Sequence, residues 1–442
     1  MEQFDAIVIG ASVAGSPTAT WLARKGYKVL MVDKATFPRD TNSTHFVWPR
    51  GVSYLNRLGV ADKITATTPH FTNVEVNIEG IRLRGHVPLA DLKKRFMALH
   101  GNDHGVVGYY SGPRRFHLDQ LLLDNAQENG VDVRLRTHLR GLLMENGRVV
   151  GIRAETADGQ ELLARARVVI GADGRVSSFA SMVGAQTTHV REKSTFAYYG
   201  YFSGIEKPEL VIHKRGRFGT AIFPTNENKH LVLVYGPTAW WSDFSAHPGE
   251  NFQRIYRYVA PEVAELVARA QRTEPFKAMG RMVAYHRENW GNGWALVGDA
   301  GSFKDQWTAM GITHALRDAE LISQYLDGYL QGEVSWSDAL SAYAGVRMQD
   351  YESYWNFVCD GAEMQPYTAE QLSYFKAVSE NQDSVNKLIG QIGDTVKFED
   401  SIALDASQLE NHGTHFRSFE AAGRQNFDNP FKREPKAEPA LA

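Results

Sequence analysis

Apolar positions along the chain alternate between short continuous runs and helical stripes. Residues 4–9, Phe-Asp-Ala-Ile-Val-Ile, read as a buried parallel strand. A tight turn follows, then a helix over about 14–25 that Gly26 is placed to end. Residues 28–32 form a second apolar strand that stops at Asp33, completing a βαβ unit. Residues 51–58 look helical. From 71 to 110 the pattern turns toward strands, with alternation in Val74-Glu75-Val76-Asn77-Ile78. Residues 118–127 form an amphipathic helix. Strands are expected at 131–135, 149–155 and 168–170, with several β-rich runs over 195–234. A helix over 251–270, a short buried strand at 294–297 and a long helix over 311–329 follow. Residues 337–409 are mostly helical. The tail from 420 to 442, rich in Pro, Ala and charge, is expected to be mobile.

The βα alternation is interrupted twice by β-rich inserts. That pattern predicts an α/β protein in which a nucleotide-binding domain is left and re-entered by the chain, beside a mixed-sheet second domain. The expected division is 1–70, 112–190 and 287–335 for the nucleotide-binding domain, 71–111 and 191–286 for the β-rich domain, and 336–419 for a helical C-terminal segment. A chain of 442 residues is more than one compact core usually holds, which agrees with two joined domains. The net charge of −3 and the absence of a long basic run give no reason to expect nucleic acid as a partner. The single cysteine, Cys359, excludes an internal disulfide and a Cys-x-x-Cys redox pair. No apolar run reaches the roughly 20 residues that span a bilayer, and no signal-peptide pattern precedes the first strand. A cytoplasmic protein with no integral membrane segment is expected.

Candidate chemistry starts at Gly10-Ala11-Ser12-Val13-Ala14-Gly15, between the first strand and its helix. This is the setting a dinucleotide fingerprint requires. Gly10 allows the tight turn. Ser12, Val13 and Ala14 lie where the backbone approaches a pyrophosphate, and Gly15 lets helix and strand pack closely. The helix N-terminus supplies N–H groups and a positive dipole end. Asp33, 18 residues after Gly15, can accept hydrogen bonds from a ribose diol and repels a phosphorylated ribose. One departure stands out: the middle glycine of the fingerprint is Ser12.

Two more segments resemble motifs of the FAD-dependent monooxygenase superfamily, which contains p-hydroxybenzoate hydroxylase, the geranylgeranyl reductases and the flavin-dependent halogenases. Val169-Ile170-Gly171-Ala172-Asp173-Gly174-Arg175-Val176-Ser177 is similar to its Asp-Gly motif. Ala295-Leu296-Val297-Gly298-Asp299-Ala300-Gly301, continuing to Gly311 and Asp318, is similar to its Gly-Asp motif. The resemblance covers roughly residues 5–330. It implies a Rossmann-like FAD-binding domain with an interleaved mixed β-sheet substrate domain and a helical C-terminal segment. It also implies that Asp299 bonds a ribityl hydroxyl of FAD, that Asp173 helps hold the pyrophosphate loops, and that Gly311 and Ile312 offer N–H groups to the flavin pyrimidine edge. Arg115 resembles the family arginine that contacts FAD.

The stretch Asp33-Lys34-Ala35-Thr36-Phe37-Pro38-Arg39, with Ser43-Thr44-His45, resembles the family loop that passes near the isoalloxazine ring. Lys34 and Thr44 are therefore expected at the cofactor. His45 would hydrogen-bond, stack on or covalently tether the flavin, against a competing reading as a histidine satisfied by nearby backbone. Arg50 either contacts the ligand or is an exposed arginine at a helix start. Trp307 and Met310 either wall the substrate side or pack ordinarily; Trp307 and His45 are the catalytic candidates. Tyr198, Tyr199, Tyr201 and Phe223 would offer aromatic surface to a substrate.

The resemblance implies an enzyme: a single-component NAD(P)H-dependent monooxygenase that uses molecular oxygen and oxygenates an apolar or aromatic small molecule through a flavin hydroperoxide. No second glycine-turn unit exists for a separate NAD(P)H domain, so the donor would bind transiently. The alternatives are a geranylgeranyl-reductase-type enzyme acting on C=C bonds, and a non-catalytic flavin-binding protein. The Trp-x-Trp-x-Ile-Pro motif of tryptophan halogenases is absent, and no metal-ligand or nucleophile-elbow pattern occurs.

Overall fold

Strand β1 (Glu2–Ile9) is apolar on both faces from Ala6 to Ile9 because that part lies inside a parallel sheet. The computed structural model describes residues 1–400 with Ile402, Leu404, Leu409 and Phe431. The tail expected to be mobile lies outside the described residues except for Phe431. After β1 come α1 (Gly15–Arg24), β2 (Val29–Val32), α2 (Pro49–Arg57), β3 (Val74–Ile78), β4 (Ile81–Gly85), α3 (Leu89–His100) and α4 (Arg115–Glu128). Next are β5 (Asp132–Arg134), β6 (His138–Glu145), β7 (Arg148–Glu155), β8 (Glu161–Gly171), β9 (Thr195–Ser203), β10 (Leu210–Arg215), β11 (Phe218–Thr225) and β12 (Lys229–Pro237). Last are β13 (Trp294–Leu296), α5 (Gly311–Gln331), α6 (Trp336–Gly361), α7 (Ala369–Ser379) and α8 (Gln382–Ile392).

The first sheet has the parallel order β13–β8–β1–β2–β5. Ile9 pairs with Gly171 and Val32, and Gly171 pairs with Leu296. Four strands thus end at one edge, and the segments that follow them meet there. Apolar faces of α1 and α5 cover one side of this sheet, through Leu22, Ala19, Leu321 and Ile322. The hairpin β6–β7 extends the sheet antiparallel to the first half of β8.

The second sheet is mixed. It runs β9–β12–β11–β10–β3–β4, with β10 and β3 parallel and the other pairs antiparallel. The register Leu210↔Val74 joins two stretches far apart in sequence. The Rossmann-like sheet, the interleaved mixed sheet and the helical C-terminal segment expected from the sequence are all present.

Two local readings need correction. Residues 89–100 form a helix, although the surrounding segment reads as strands. Leu92, Arg95 and Phe96 share its buried face, and Gly101, with φ of 70°, closes it in the left-handed region. The alternation at 74–78 is real but ends at Gly85. The helix expected over 251–270 is two helices, Pro248–Val259 and Pro261–Arg269, because Pro261 removes a donor and forces Ala260 out of helical geometry.

Candidate functional site

A cavity of about 680 Å³ opens where the parallel strands end. This is where open α/β sheets bind ligands, because loops diverge there and helix N-termini point inward. Its wall combines the Gly10 loop, the residue after β2, the turns after β8 and β13, and the first residues of α4 and α5.

The Gly10 loop has no room for a side chain at either of its glycines. Gly10 has φ of 105°, and a Cβ there would lie 2.6 Å from the Ala172 carbonyl oxygen. A Cβ at Gly15 would lie 1.8 Å from the Gly10 oxygen. The chain is therefore pressed against the turn after β8, leaving backbone N–H groups to face the cavity. Ser12, Val13 and Ala14 line the cavity, and Gly15 sits behind them at the helix start.

Asp33 is buried and holds two turns at once. Its Oδ2 accepts from the Ala11 N–H and its Oδ1 from the Ala35 N–H, each at 2.8 Å. Each oxygen keeps a lone pair for a ligand hydroxyl. Lys34, Thr44 and His45 line the same wall.

Ser12 is tied to α4. Its hydroxyl donates to Asp119 at 2.9 Å and accepts from Arg115 at 2.6 Å. Arg115 makes two more hydrogen bonds to Asp119, at 3.0 and 2.9 Å. The serine that replaces a glycine thus fixes the Arg115 guanidinium, which lines the cavity, against the phosphate loop.

Asp173 lines the cavity, but its carboxylate is turned to its own loop. It accepts from the Ser177 and Ser178 hydroxyls and from the Phe179 N–H. Asp299 differs. Its carboxylate makes no hydrogen bond or ion pair with another described residue, and it lines the cavity. Burial raises its pKa, opposed by the charges of Lys304, Arg115 and Arg175. Behind it, Asp318 of α5 accepts from the Gly298 N–H at 3.1 Å and fixes the turn that carries Asp299. Gly311 and Ile312 open α5 and line the cavity. The 21-residue helix places its positive end there.

His45 lines the cavity with φ of 44°, and its Nε2 lies 3.0 Å from the Tyr201 hydroxyl. Burial pushes its pKa down to about 3, so it is neutral at pH 7. Other expected residues turn away. Trp307 does not line the cavity; it donates Nε1–H to the Val358 oxygen at 2.8 Å and packs on Phe357 of α6. Met310 is in the core. Tyr199, Tyr201 and Phe223 are buried, and Tyr198 packs on Phe244 and Phe276, so none of the four lines the cavity.

Arg50 is neither at the ligand cavity nor exposed. It is fully buried and pairs with Asp350 at 2.6 Å and Asp394 at 2.5 Å. Arg95 and Arg317 also meet Asp350, and Arg347 and Arg317 hold Asp318. Burial opposes ionisation of Asp350 and Asp318, but these arginines keep both carboxyls well below the usual range. The neutral His314 bonds Asp394 at 2.6 Å. This network backs the start of α5 and locks α6 to α2, α3 and α5.

Two site residues escape a reading of the sequence. Lys304 lines the cavity, is 5% exposed, and makes no hydrogen bond or ion pair with another described residue. Its Nζ lies over the Tyr351 ring, 5.1 Å from the centroid. Asp305 points the other way. It accepts from the N–H and hydroxyl of Thr195 on β9, at 2.6 and 2.7 Å, and from the Trp307 N–H, so it ties the cavity loop to the second sheet. The available signal was position: a charged pair between the Gly-Asp segment and Gly311.

Among the described residues no helix is long and apolar enough to cross a membrane, and no group of metal-ligating side chains forms. A family model described as FAD binding domain matches residues 3–351. Tryptophan 2-halogenase of Chondromyces crocatus is 22% identical over 359 residues, covering 76% of this chain but only 63% of its own length. Digeranylgeranylglycerophospholipid reductase of Methanocella arvoryzae is 26% identical over 350 residues, covering 77% of this chain and 82% of the reductase. A solved flavin-dependent brominase superposes with a TM-score of 0.72 at 18% identity, over 95% of this chain and all of that one. A solved probable FAD-dependent monooxygenase from Pseudomonas aeruginosa gives 0.68 at 21% identity, over 82% of this chain and 97% of that one. Both structural likenesses concern the fold.

Proposed function

The chain belongs to the FAD binding domain family, and on that premise we propose that it is an FAD-dependent oxidoreductase working as a single-component monooxygenase. The observation that carries the reading is the cavity itself. One wall brings together the tightly turned Gly10 loop, the Asp33 and Asp299 carboxylates and the open end of α5. Those groups suit a flavin dinucleotide from end to end. Asp33 takes ribose hydroxyls with its free lone pairs. The N–H groups of the Gly10 loop and the end of α1 bind the pyrophosphate, with Arg115 as countercharge. Asp173 braces the turn that Gly10 packs against. Asp299 takes a ribityl hydroxyl. Gly311 and Ile312 meet the pyrimidine edge with N–H groups and a helix dipole.

Bound FAD supplies the redox chemistry, accepting two electrons and passing them to oxygen or to an organic substrate. The protein binds, orients and keeps water out. His45 stays neutral and is held by Tyr201, so in this reading it shapes the flavin wall rather than moving a proton. NAD(P)H is the transient electron donor, the substrate is an apolar or aromatic small molecule, and the enzyme works in the cytoplasm. Residues 1–70, 112–190 and 287–335 serve the cofactor, and 71–111 with 191–286 serve the substrate.

A second reading, reduction of a C=C bond without oxygen, is favoured by the 26% identity to a lipid reductase over most of both chains. One experiment separates them. Record the flavin spectrum of the purified protein, then follow NAD(P)H and oxygen consumption with candidate substrates, with and without bromide. Substrate-stimulated oxygen uptake without halide supports the monooxygenase. Anaerobic turnover at an undiminished rate overturns it in favour of the reductase. Halide-dependent uptake overturns it in favour of halogenation.

A further inference from the structure

Lys304 is the unusual group of the cavity. A buried ammonium normally has a carboxylate partner, because removing it from water unpaired is costly. This one lines the cavity with no hydrogen bond or ion pair to another described residue, and only the face of Tyr351 lies under it. Several carboxylates lie in the neighbourhood and are engaged elsewhere. Asp318 is held by Arg317 and Arg347, Asp394 by Arg50, Arg95 and His314, and Asp305 by Thr195. Asp299 shares the cavity but makes no ion pair with it. Lys304 therefore lines the space for the cofactor with no ion pair to a described carboxylate, Asp299 being the one whose charge acts on it most strongly.

The end of α5 adds to this. Gly311 and Ile312 line the same cavity, so the positive end of a 21-residue helix and the Lys304 ammonium act on one volume. Both reward negative charge appearing there and give little to a neutral ligand. Oxidised isoalloxazine is neutral. Taking up two electrons and one proton leaves it with one negative charge on the pyrimidine ring. The lysine is already protonated and gives up no proton in this step.

We infer that Lys304 is the counterion of reduced FAD and sets the reduction potential of the bound flavin. The inference rests on the FAD reading given above. It assigns the residue a role in the electron balance rather than in holding the cofactor: Lys304 stabilises the reduced form selectively, so the bound flavin is easier to reduce than it would be beside a neutral side chain. Burial pushes the Lys304 pKa down to about 8, which still leaves it charged at pH 7. Asp299 offsets part of its field, and Arg317 on α5 reinforces it.

The test uses the holoprotein and two neutral variants, Lys304→Met and Lys304→Gln. Electrons are supplied by xanthine and xanthine oxidase, and an indicator dye reports the midpoint potential. The expected result is a preference for reduced over oxidised FAD that falls about tenfold, a drop of about 30 mV for a two-electron couple. Affinity for oxidised FAD should change less than threefold. An unchanged potential in variants that hold FAD overturns the inference. So does a variant that folds but no longer binds oxidised FAD, because the lysine is then a binding residue. Failure of both variants to fold overturns it too, since a counterion for the flavin is dispensable for folding. If the wild-type protein itself binds no FAD, the failure lies with the cofactor reading instead.

Discussion

Arg115 Nη2 donates to Ser12 Oγ at 2.6 Å, across 103 residues of sequence. The serine hydroxyl donates a hydrogen bond to Asp119, so loop, arginine and carboxylate form a closed triangle. Ser12→Gly restores the residue expected in a dinucleotide loop but removes the link. FAD affinity is expected to fall about tenfold, ~1.4 kcal/mol, and further for Arg115→Ala. Titration of apoprotein with FAD measures both. Equal or tighter binding by Ser12→Gly would show that the triangle contributes nothing to the site.

Gly10→Ala is expected to abolish FAD retention. The added methyl meets the Ala172 carbonyl at 2.6 Å and sits on a residue with φ of 105°. Either the loop shifts or the turn after β8 moves, and the cofactor wall is lost with it. Gly249→Ala is the control, because nothing lies within 4 Å of its added carbon. Flavin absorbance per protein after gel filtration should vanish in the first variant and be unchanged in the second.

Lys304→Met is expected to stabilise the apoprotein at pH 7, by roughly 1–3 kcal/mol. The sign follows from the direction of the shift. The folded pKa, about 8, lies below the ordinary lysine value of 10.5. The unfolded chain therefore holds the proton more tightly, and burying the charged lysine costs stability at every pH below about 8. That cost disappears as pH rises from about 8 to 10.5. The melting temperature of the variant should exceed that of the wild type at pH 7, and the gap should close by pH 10.5. A variant less stable than the wild type at pH 7 contradicts the prediction.

Asp350→Ala is expected to cost roughly 3–5 kcal/mol, because it leaves buried arginines without their carboxylate. Arg50, Arg95 and Arg317 all bond to it. Lys63→Ala, which removes an exposed pair with Glu128, should cost less than about 1 kcal/mol. Urea denaturation followed by circular dichroism compares them. A small loss for Asp350→Ala would mean that water reaches the network.

The part of the cavity wall around the Gly10 loop was legible because its signals are local. β1, the Gly10 loop, α1 and Asp33 follow one another within a short stretch, and each carries its reason in its own residue type. The mixed sheet could be anticipated from period-two runs. Arg50 could not be placed, because its carboxylates stand 300 and 344 residues away. Trp307 could turn to the flavin or to α6, and only the Val358 carbonyl decides it. Lys304 was hidden for a related reason. What marks it is a missing ion pair, and that is visible only when Asp318, Asp394 and Asp305 are seen to be engaged elsewhere.

The pairing of Arg50 with Asp350 and Asp394 has a consequence for synthesis on the ribosome. When the βαβ unit and α2 emerge, the groups that neutralise Arg50 have not been made. At about 5–20 residues per second, Asp394 follows Arg50 by roughly 20–70 s. Throughout that interval the arginines of α2 and α3 must stay in water, and the helix that carries Arg50 cannot take its final place. The first loop of the cavity is translated at Gly10, yet the ion-pair network behind the start of α5 is completed only after α8 has been translated. A nascent chain stopped before Asp350 should remain sensitive to protease, and one extended past Asp394 should not.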